Sequence, residues 1–83
     1  MAHWEYTLDV KSIWNDFEEV GFEDSRDQII RKIKDSLFWD EEDWSLTNAV
    51  DEMEWSEDLD DFNYAWEQFY DWADAMRVWV KTF

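Results

Sequence analysis

The chain has 83 residues, of which 23 are acidic and 7 are basic, giving a formal net charge of −16 at pH 7. With no cysteine there is no disulfide bond or cysteine-based zinc site, so packing of its 8 tryptophans, 6 phenylalanines and 3 tyrosines must stabilise the fold. That aromatic content also argues against a disordered acidic tail, and the length predicts a single domain over residues 1–83.

The first predicted element is an extended segment at residues 3–10, where apolar and polar side chains alternate with the period of a strand. Because a lone strand is unstable, we expect this segment to pair with another strand or to lie against helices as an extended arm. His3, the only histidine, is expected on the surface or on one face of this strand.

A helix is predicted next, over residues 10–20, where apolar side chains recur at helical spacing. Either Asp9 or Ser12 is a candidate N-cap. Gly21, the only glycine, follows directly at a position where many helices end with a residue of positive φ. Phe22 would then make the hydrophobic contact that commonly accompanies such an ending.

A second long helix is predicted from about residue 25 to about residue 38. The segment from Ser25 to Gln28 matches the capping box that begins many helices. An apolar stripe follows, formed by Ile29, Ile30, Ile33 and Leu37. Four of the basic residues lie mostly on the other face, where we expect internal or surface ion pairs: Arg26, Arg31, Lys32 and Lys34.

The stretch over residues 40–55 contains a further helical face, formed by Leu46, Ala49, Val50 and Met53. The sequence does not decide at which residue this helix begins, because three residues are candidate N-caps: Asp43, Ser45 and Thr47. Acidic side chains in a first helical turn are stabilised by the positive end of the helix dipole.

The last helix is predicted to be capped by Ser56, with Glu57 and Asp58 in its first turn. Its apolar residues form a regular heptad seam: Leu59, Phe62, Trp66, Phe69, Ala73, Met76, Val80 and Phe83. We favour a helix that continues to about Lys81. In the alternative, the β-prone tail of residues 77–83 forms a strand that pairs with the N-terminal strand.

Together these elements predict a mainly α fold of three to four helices in a compact domain. The domain also has an N-terminal strand or extended arm. If the C-terminal tail forms a short strand, the N-terminal strand pairs with it. The sequence begins without a basic and apolar leader, and its longest charge-free run, residues 44–50, is far shorter than a membrane helix. We therefore expect a cytoplasmic protein that does not bind a membrane.

No pattern indicates catalysis. Neighbouring carboxylates are unavoidable among 23 acids, and neither a cysteine nor a second histidine accompanies His3 in a nucleophile–base pair. An EF-hand needs a glycine within its acidic loop, and a phosphate cradle needs a glycine-rich loop; neither pattern occurs. We expect no enzyme activity, cofactor or metal. We also expect no direct binding to nucleic acid, because the negative net charge of the chain would be repelled by the phosphates.

The acidic residues are concentrated in one half of the sequence. No lysine or arginine occurs between Lys34 and Arg77, whereas ordinary solvated helix faces mix both signs. We expect this half to bind a basic, nucleic-acid-handling protein through carboxylates that substitute for phosphates: Asp40, Glu41, Glu42, Asp43, Asp51, Glu52, Glu54, Glu57, Asp58, Asp60, Asp61, Glu67, Asp71 and Asp74. One or two exposed tryptophans among Trp39, Trp44 and Trp55 would add short-range contacts. The alternatives are a merely solvated face and adaptation to high salt.

In size and charge, residues 35–76 resemble the small acidic nucleic-acid mimics of phages and mobile elements, which include anti-restriction and anti-CRISPR proteins. The resemblance implies an inhibitor of a DNA- or RNA-binding enzyme. Independently of the resemblance, we expect the chain to be a monomer or a homodimer. Two other functions stay open. One is an acidic assembly subunit that dimerises or docks through the Leu59–Phe83 seam, and the other is an immunity protein against a cationic nuclease toxin.

Overall fold

A computed structural model describes residues 4–82, so the predictions for His3 and for Phe83 lie outside the described residues. The elements follow in this order: β1 (Tyr6–Asp9), α1 (Lys11–Asn15), α2 (Phe17–Val20), α3 (Phe22–Lys34), α4 (Trp44–Trp55), α5 (Leu59–Ala75) and β2 (Val78–Lys81). This order confirms a mainly α fold with a strand near each end. The two shortest helices, α1 and α2, replace the single helix predicted over residues 10–20.

The two strands form a parallel two-stranded sheet, with Tyr6 opposite Val78 and Asp9 opposite Lys81. The favoured prediction of a helix to Lys81 is therefore wrong, and the alternative of a paired C-terminal strand is confirmed. α5 ends at Ala75, and Arg77 then adopts a φ of 61° that redirects the chain. In a strand, Val78 and Val80 point to the same face, and both are buried there. The strand also lets their backbone pair with β1, whereas a continuation of α5 would leave β1 without a partner strand.

Gly21 ends α2 with φ of 104° and ψ of 148°, and its N–H donates to the carbonyl of Phe17 at 3.1 Å. This confirms the predicted terminator. The single helix predicted over residues 10–20 is interrupted at Asp16, where the backbone leaves helical geometry between α1 and α2. The prediction of Asp9 or Ser12 as the N-cap is wrong, because Val10 occupies that position and makes no side-chain cap hydrogen bond. The Asp9 carboxylate, one residue earlier, accepts from the Lys11 N–H at 3.1 Å.

Gly21→Ala should destabilise the chain by about 1–3 kcal/mol, because side chains rarely adopt this backbone region. A Cβ here meets no atom within 4 Å, so the cost comes from the backbone and not from a clash. Urea unfolding followed by circular dichroism measures it. D-alanine, introduced by chemical synthesis, is the matched control and should be at least as stable as glycine. Equal loss with both alanines would contradict a backbone origin.

The predicted capping box at Ser25 is wrong, because α3 begins three residues earlier, directly after Gly21. Ser25 is instead buried inside the helix. The helix ends at Lys34, before the predicted residue 38, with basic side chains in its last turn, where the helix dipole favours them. Leu37 consequently leaves the apolar stripe and is 92% exposed.

Asp43 is the N-cap of α4, which resolves the choice among three candidates. Its carboxylate accepts from the N–H groups of Ser45 at 3.1 Å and Leu46 at 3.3 Å. The prediction that Ser56 caps the last helix is wrong. Asp58 caps α5 by accepting from the Asp61 N–H at 2.9 Å, while the Ser56 hydroxyl donates back to the Met53 carbonyl.

A single apolar core joins α3, α4, α5 and both strands. Phe62 and Phe69 are fully buried, and Trp14 packs against Phe62 and Trp66 with ring centroids at 6.0 and 5.0 Å. The middle of the predicted heptad seam therefore lies inside the chain's own core. Docking a partner along Phe62, Trp66 and Phe69 would require that core to open.

Candidate partner-binding surface

Helices α4 and α5 position most of the predicted binding residues. The two helices are joined by residues 56–58 and pack closely against each other. Each buries one face in the core: Leu46, Ala49, Val50 and Met53 from α4, and Phe62, Ala65, Trp66, Phe69 and Ala73 from α5. The remaining faces are left to solvent, and they carry carboxylates without any lysine or arginine.

A groove of about 520 Å³ runs between the exposed faces of α4 and α5. Three carboxylates line it, Asp51 and Glu52 from α4 and Asp61 from α5. Two aromatic rings line the same groove, Trp55 at 83% exposure and Tyr64 at 65%. The structure thus brings together acidic and aromatic side chains that come from two helices.

The outer face of α5 adds a second set of exposed carboxylates: Asp60, Glu67, Asp71 and Asp74. Their steps of seven, four and three residues keep them on one side of the helix. At a rise of about 1.5 Å per residue, the set extends over roughly 21 Å. Tyr64 lies four residues after Asp60 and three residues before Glu67, so this row adjoins the groove.

Three further predicted residues, Asp40, Glu41 and Glu42, are exposed in the loop before α4. The Glu42 N–H donates to the Asp40 carboxylate at 2.9 Å, which fixes a local turn. Glu57 is exposed between α4 and α5 and lies beside Glu23 and Asp24 in a shallow depression. These four carboxylates lie outside the residues that line the α4–α5 groove.

Three predicted binding residues stabilise the fold directly. Asp43 caps α4 with one carboxylate oxygen, and its other oxygen accepts from the Trp72 indole N–H at 2.9 Å. Asp58 caps α5. Glu54 forms an ion pair with Lys34 of α3 at 2.6 Å. These carboxylates already have partners, unlike those in the groove.

The basic residues of α3 are largely engaged by the chain itself. Arg26 pairs with Asp27, donates to the Ser56 carbonyl at 2.7 Å and lies over the Phe22 ring. Lys32 donates to the carbonyl of Asp9 at 3.0 Å. The predicted ion pairs are therefore confirmed for Arg26 and for Lys34. Within residues 4–82 Arg31 has no ion pair, and Lys32 makes only this backbone bond.

Comparison with protein-family models, curated proteins and solved structures gives no match. Across residues 4–82, no histidine, cysteine, aspartate and glutamate side chains form a group of three or more suited to hold a metal ion. None of the helices in that part of the chain has the length and apolar character of a membrane-spanning segment.

The prediction of exposed tryptophans is confirmed for Trp44 and Trp55, which are 79% and 83% exposed. They lie three turns apart on the same exposed side of α4. Trp39 instead packs partly against the core. The sequence did not predict that Trp55 and Tyr64 share one groove. The available signal was the short connection over residues 56–58, which places the end of α4 beside the start of α5.

Raising the NaCl concentration from about 10 mM to about 1 M should stabilise the chain, since the Debye length falls from roughly 30 Å to 3 Å. Screening weakens repulsion among carboxylates that give a net charge of −16. We expect the Tm to rise by at least about 4 °C in thermal circular dichroism. Tetramethylammonium chloride at the same ionic strength separates screening from specific sodium effects. A Tm unchanged in both salts would contradict significant self-repulsion.

Proposed function

We propose that this chain binds and inhibits a basic, nucleic-acid-handling protein, such as a nuclease, by presenting carboxylates in place of phosphates. The observation that carries the proposal is the α4–α5 surface, where groove and outer-face carboxylates adjoin without a lysine or arginine. A cleft that attracts the phosphates of DNA or RNA with lysine and arginine would attract this surface by the same charge.

The spacing of the carboxylates is compatible with such substitution. Neighbouring carboxylates on one helical face are about 4.5–6 Å apart along the axis for steps of three or four residues. Phosphates follow one strand of a duplex at about 3.4 Å of axis per charge. A single helix is therefore less densely charged than a strand, and two acidic helix faces side by side bring the density closer to that of the nucleic acid.

The position of the apolar seam favours inhibition over assembly through the seam, because Phe62 and Phe69 are already buried within the chain. An immunity protein against a cationic nuclease toxin would use the same surface and the same electrostatics. The genes adjacent to the coding sequence would separate these two related functions. In either case we place the protein in the cytoplasm, together with its partner.

The decisive experiment is affinity capture from a host lysate at low ionic strength, followed by elution with duplex DNA or duplex RNA. Captured proteins should be DNA- or RNA-handling enzymes, and nucleic acid should release them at concentrations where its added ionic strength alone does not. The activity of a recovered enzyme should fall when the chain is added. Capture of proteins that nucleic acid fails to displace would contradict substitution for phosphates.

A further inference from the structure

We propose that the groove between α4 and α5 binds an arginine side chain of the partner, with its guanidinium plane against the rings of Trp55 and Tyr64. This inference rests on the proposed function and adds a chemical preference that charge alone does not supply. The guanidinium would pair with Asp51, Glu52 or Asp61, the three carboxylates that line the same groove.

The groove carboxylates are available for a cation. Within residues 4–82, the side chains of Asp51, Glu52 and Asp61 accept no hydrogen bond and form no ion pair. By contrast, Asp43, Asp58 and other structural acids use their oxygens within the fold. The nearest residues in sequence also supply no lysine or arginine. Arg26 reaches the carbonyl of the groove residue Ser56, but its ion pair is with Asp27 and not with a groove carboxylate. Its charge is therefore left for a partner to compensate.

The aromatic rings favour arginine over lysine. The guanidinium group is planar, stacks on aromatic faces and is more weakly hydrated than the lysine ammonium group. It also matches a carboxylate with two parallel hydrogen bonds. Trp55 and Tyr64 line the groove with rings that are mostly exposed, so both are open to such stacking. Asn48 and Gln68 line it too and offer amide oxygens as further acceptors.

The size of the groove fits a side chain carried by a polypeptide better than a bare ion. It measures about 520 Å³ and is lined by residues of α4, of α5 and of the connection between them. No group of three or more ligating side chains suited to a metal ion occurs in the part of the chain that the structure describes. A basic segment could therefore lie along α4 and α5, inserting one arginine between the rings while its other cations face the outer row on α5.

The test compares two short peptides that are identical except that their basic positions are all arginine or all lysine. Binding to the full chain is measured by isothermal titration calorimetry at fixed ionic strength. We expect the arginine peptide to bind about tenfold more tightly, which is the range of a stacked and partly desolvated cation. Trp55→Ala and Tyr64→Ala should each remove most of this preference.

Matched variants separate the groove from the rest of the surface. Trp44→Ala removes an equally exposed ring from the other end of α4, and Tyr70→Ala removes an exposed ring of α5 that does not line the groove. Both should retain the arginine preference. Asp61 and Asp24 each lie in the first turn of a helix, but only Asp61 lines the groove. Asp61→Asn should therefore weaken arginine binding more than Asp24→Asn.

The outcomes distinguish this inference from the broader function. Equal binding of the two peptides, with Trp55→Ala no different from Trp44→Ala, would overturn the arginine site while leaving a charge-driven inhibitor intact. Failure of both peptides to bind, even at low salt, would overturn the arginine site and count against the proposed function as well. Circular dichroism of every variant verifies that the loss of an exposed side chain leaves the helices folded.

Discussion

A chain carrying Asp51→Lys, Glu52→Lys, Glu67→Lys and Asp71→Lys should lose its basic partner while keeping its fold. All four side chains are exposed, and the structure shows no hydrogen bond or ion pair for any of them within residues 4–82. The four reversals change the net charge from −16 to −8. Steered protein pairs associate about two to three orders of magnitude faster than unsteered pairs, so the association rate should fall by roughly that factor.

The choice of positions protects the fold. Asp51 and Glu52 lie in the second half of α4, and Glu67 and Asp71 lie beyond the first turn of α5. Lysine near the C-terminal end of a helix is favoured by the helix dipole. Reversing Asp60 or Asp61 would instead place lysine in the first turn of α5, where the dipole disfavours it. The variant should therefore be at least as stable as the parent in urea unfolding.

Surface plasmon resonance against the captured enzyme, at low and high NaCl concentrations, measures the loss. The control reverses four other exposed acids, none of them in the first turn of a helix, with the same change of net charge: Glu5, Asp35, Glu41 and Glu57. If general charge attraction were sufficient, both variants would lose binding equally. If the α4–α5 surface makes the contact, the control should retain most of its affinity. Undiminished binding of the first variant would rule out this surface as the site of recognition.

The features that could be predicted from the sequence are those that depend on local chemistry. Gly21 ends a helix because its own backbone adopts positive φ, and Asp43 caps α4 because its carboxylate reaches N–H groups two and three residues ahead. Local sequence patterns gave wrong N-cap predictions at Ser25 and Ser56. Each matches a capping pattern, yet burial against other elements places one inside α3 and the other at the end of α4.

The C-terminal strand depended on a contact between distant residues. Val80 fits both the heptad seam and the alternation of a strand, so periodicity did not decide between them. The parallel pairing with β1 decides it, and β1 lies at the opposite end of the sequence. The acidic half shows the same limit. Composition predicted its charge, but only the packing of α4 against α3 and α5 shows that Glu54 pairs with Lys34, whereas Asp61 lines the groove with no ion pair within residues 4–82.

Asp43→Ala should destabilise the chain by roughly 2–4 kcal/mol, because one side chain has two separate functions in the fold. Loss of an N-cap typically costs about 1 kcal/mol, and here the N–H groups of Ser45 and Leu46 lose their acceptor. Removing the acceptor of a partly buried donor costs about 1–3 kcal/mol more, and the Trp72 indole N–H is such a donor. Small domains have total stabilities of about 5–15 kcal/mol, so this loss is large.

Two further variants separate these contributions to the free energy of unfolding. Asp43→Asn keeps a good N-cap but presents an amide in place of the carboxylate, so it should lose mainly the Trp72 bond. Trp72→Phe removes the indole N–H, and combining it with Asp43→Asn forms a double-mutant cycle with an expected coupling of about 1 kcal/mol or more. Glu41→Ala, an exposed loop acid with the same charge change, is the control. If Asp43→Ala and Glu41→Ala unfold at the same urea concentration, Asp43 does not hold α4 and α5 together. Its carboxylate would then be as free to meet a partner as those of the groove.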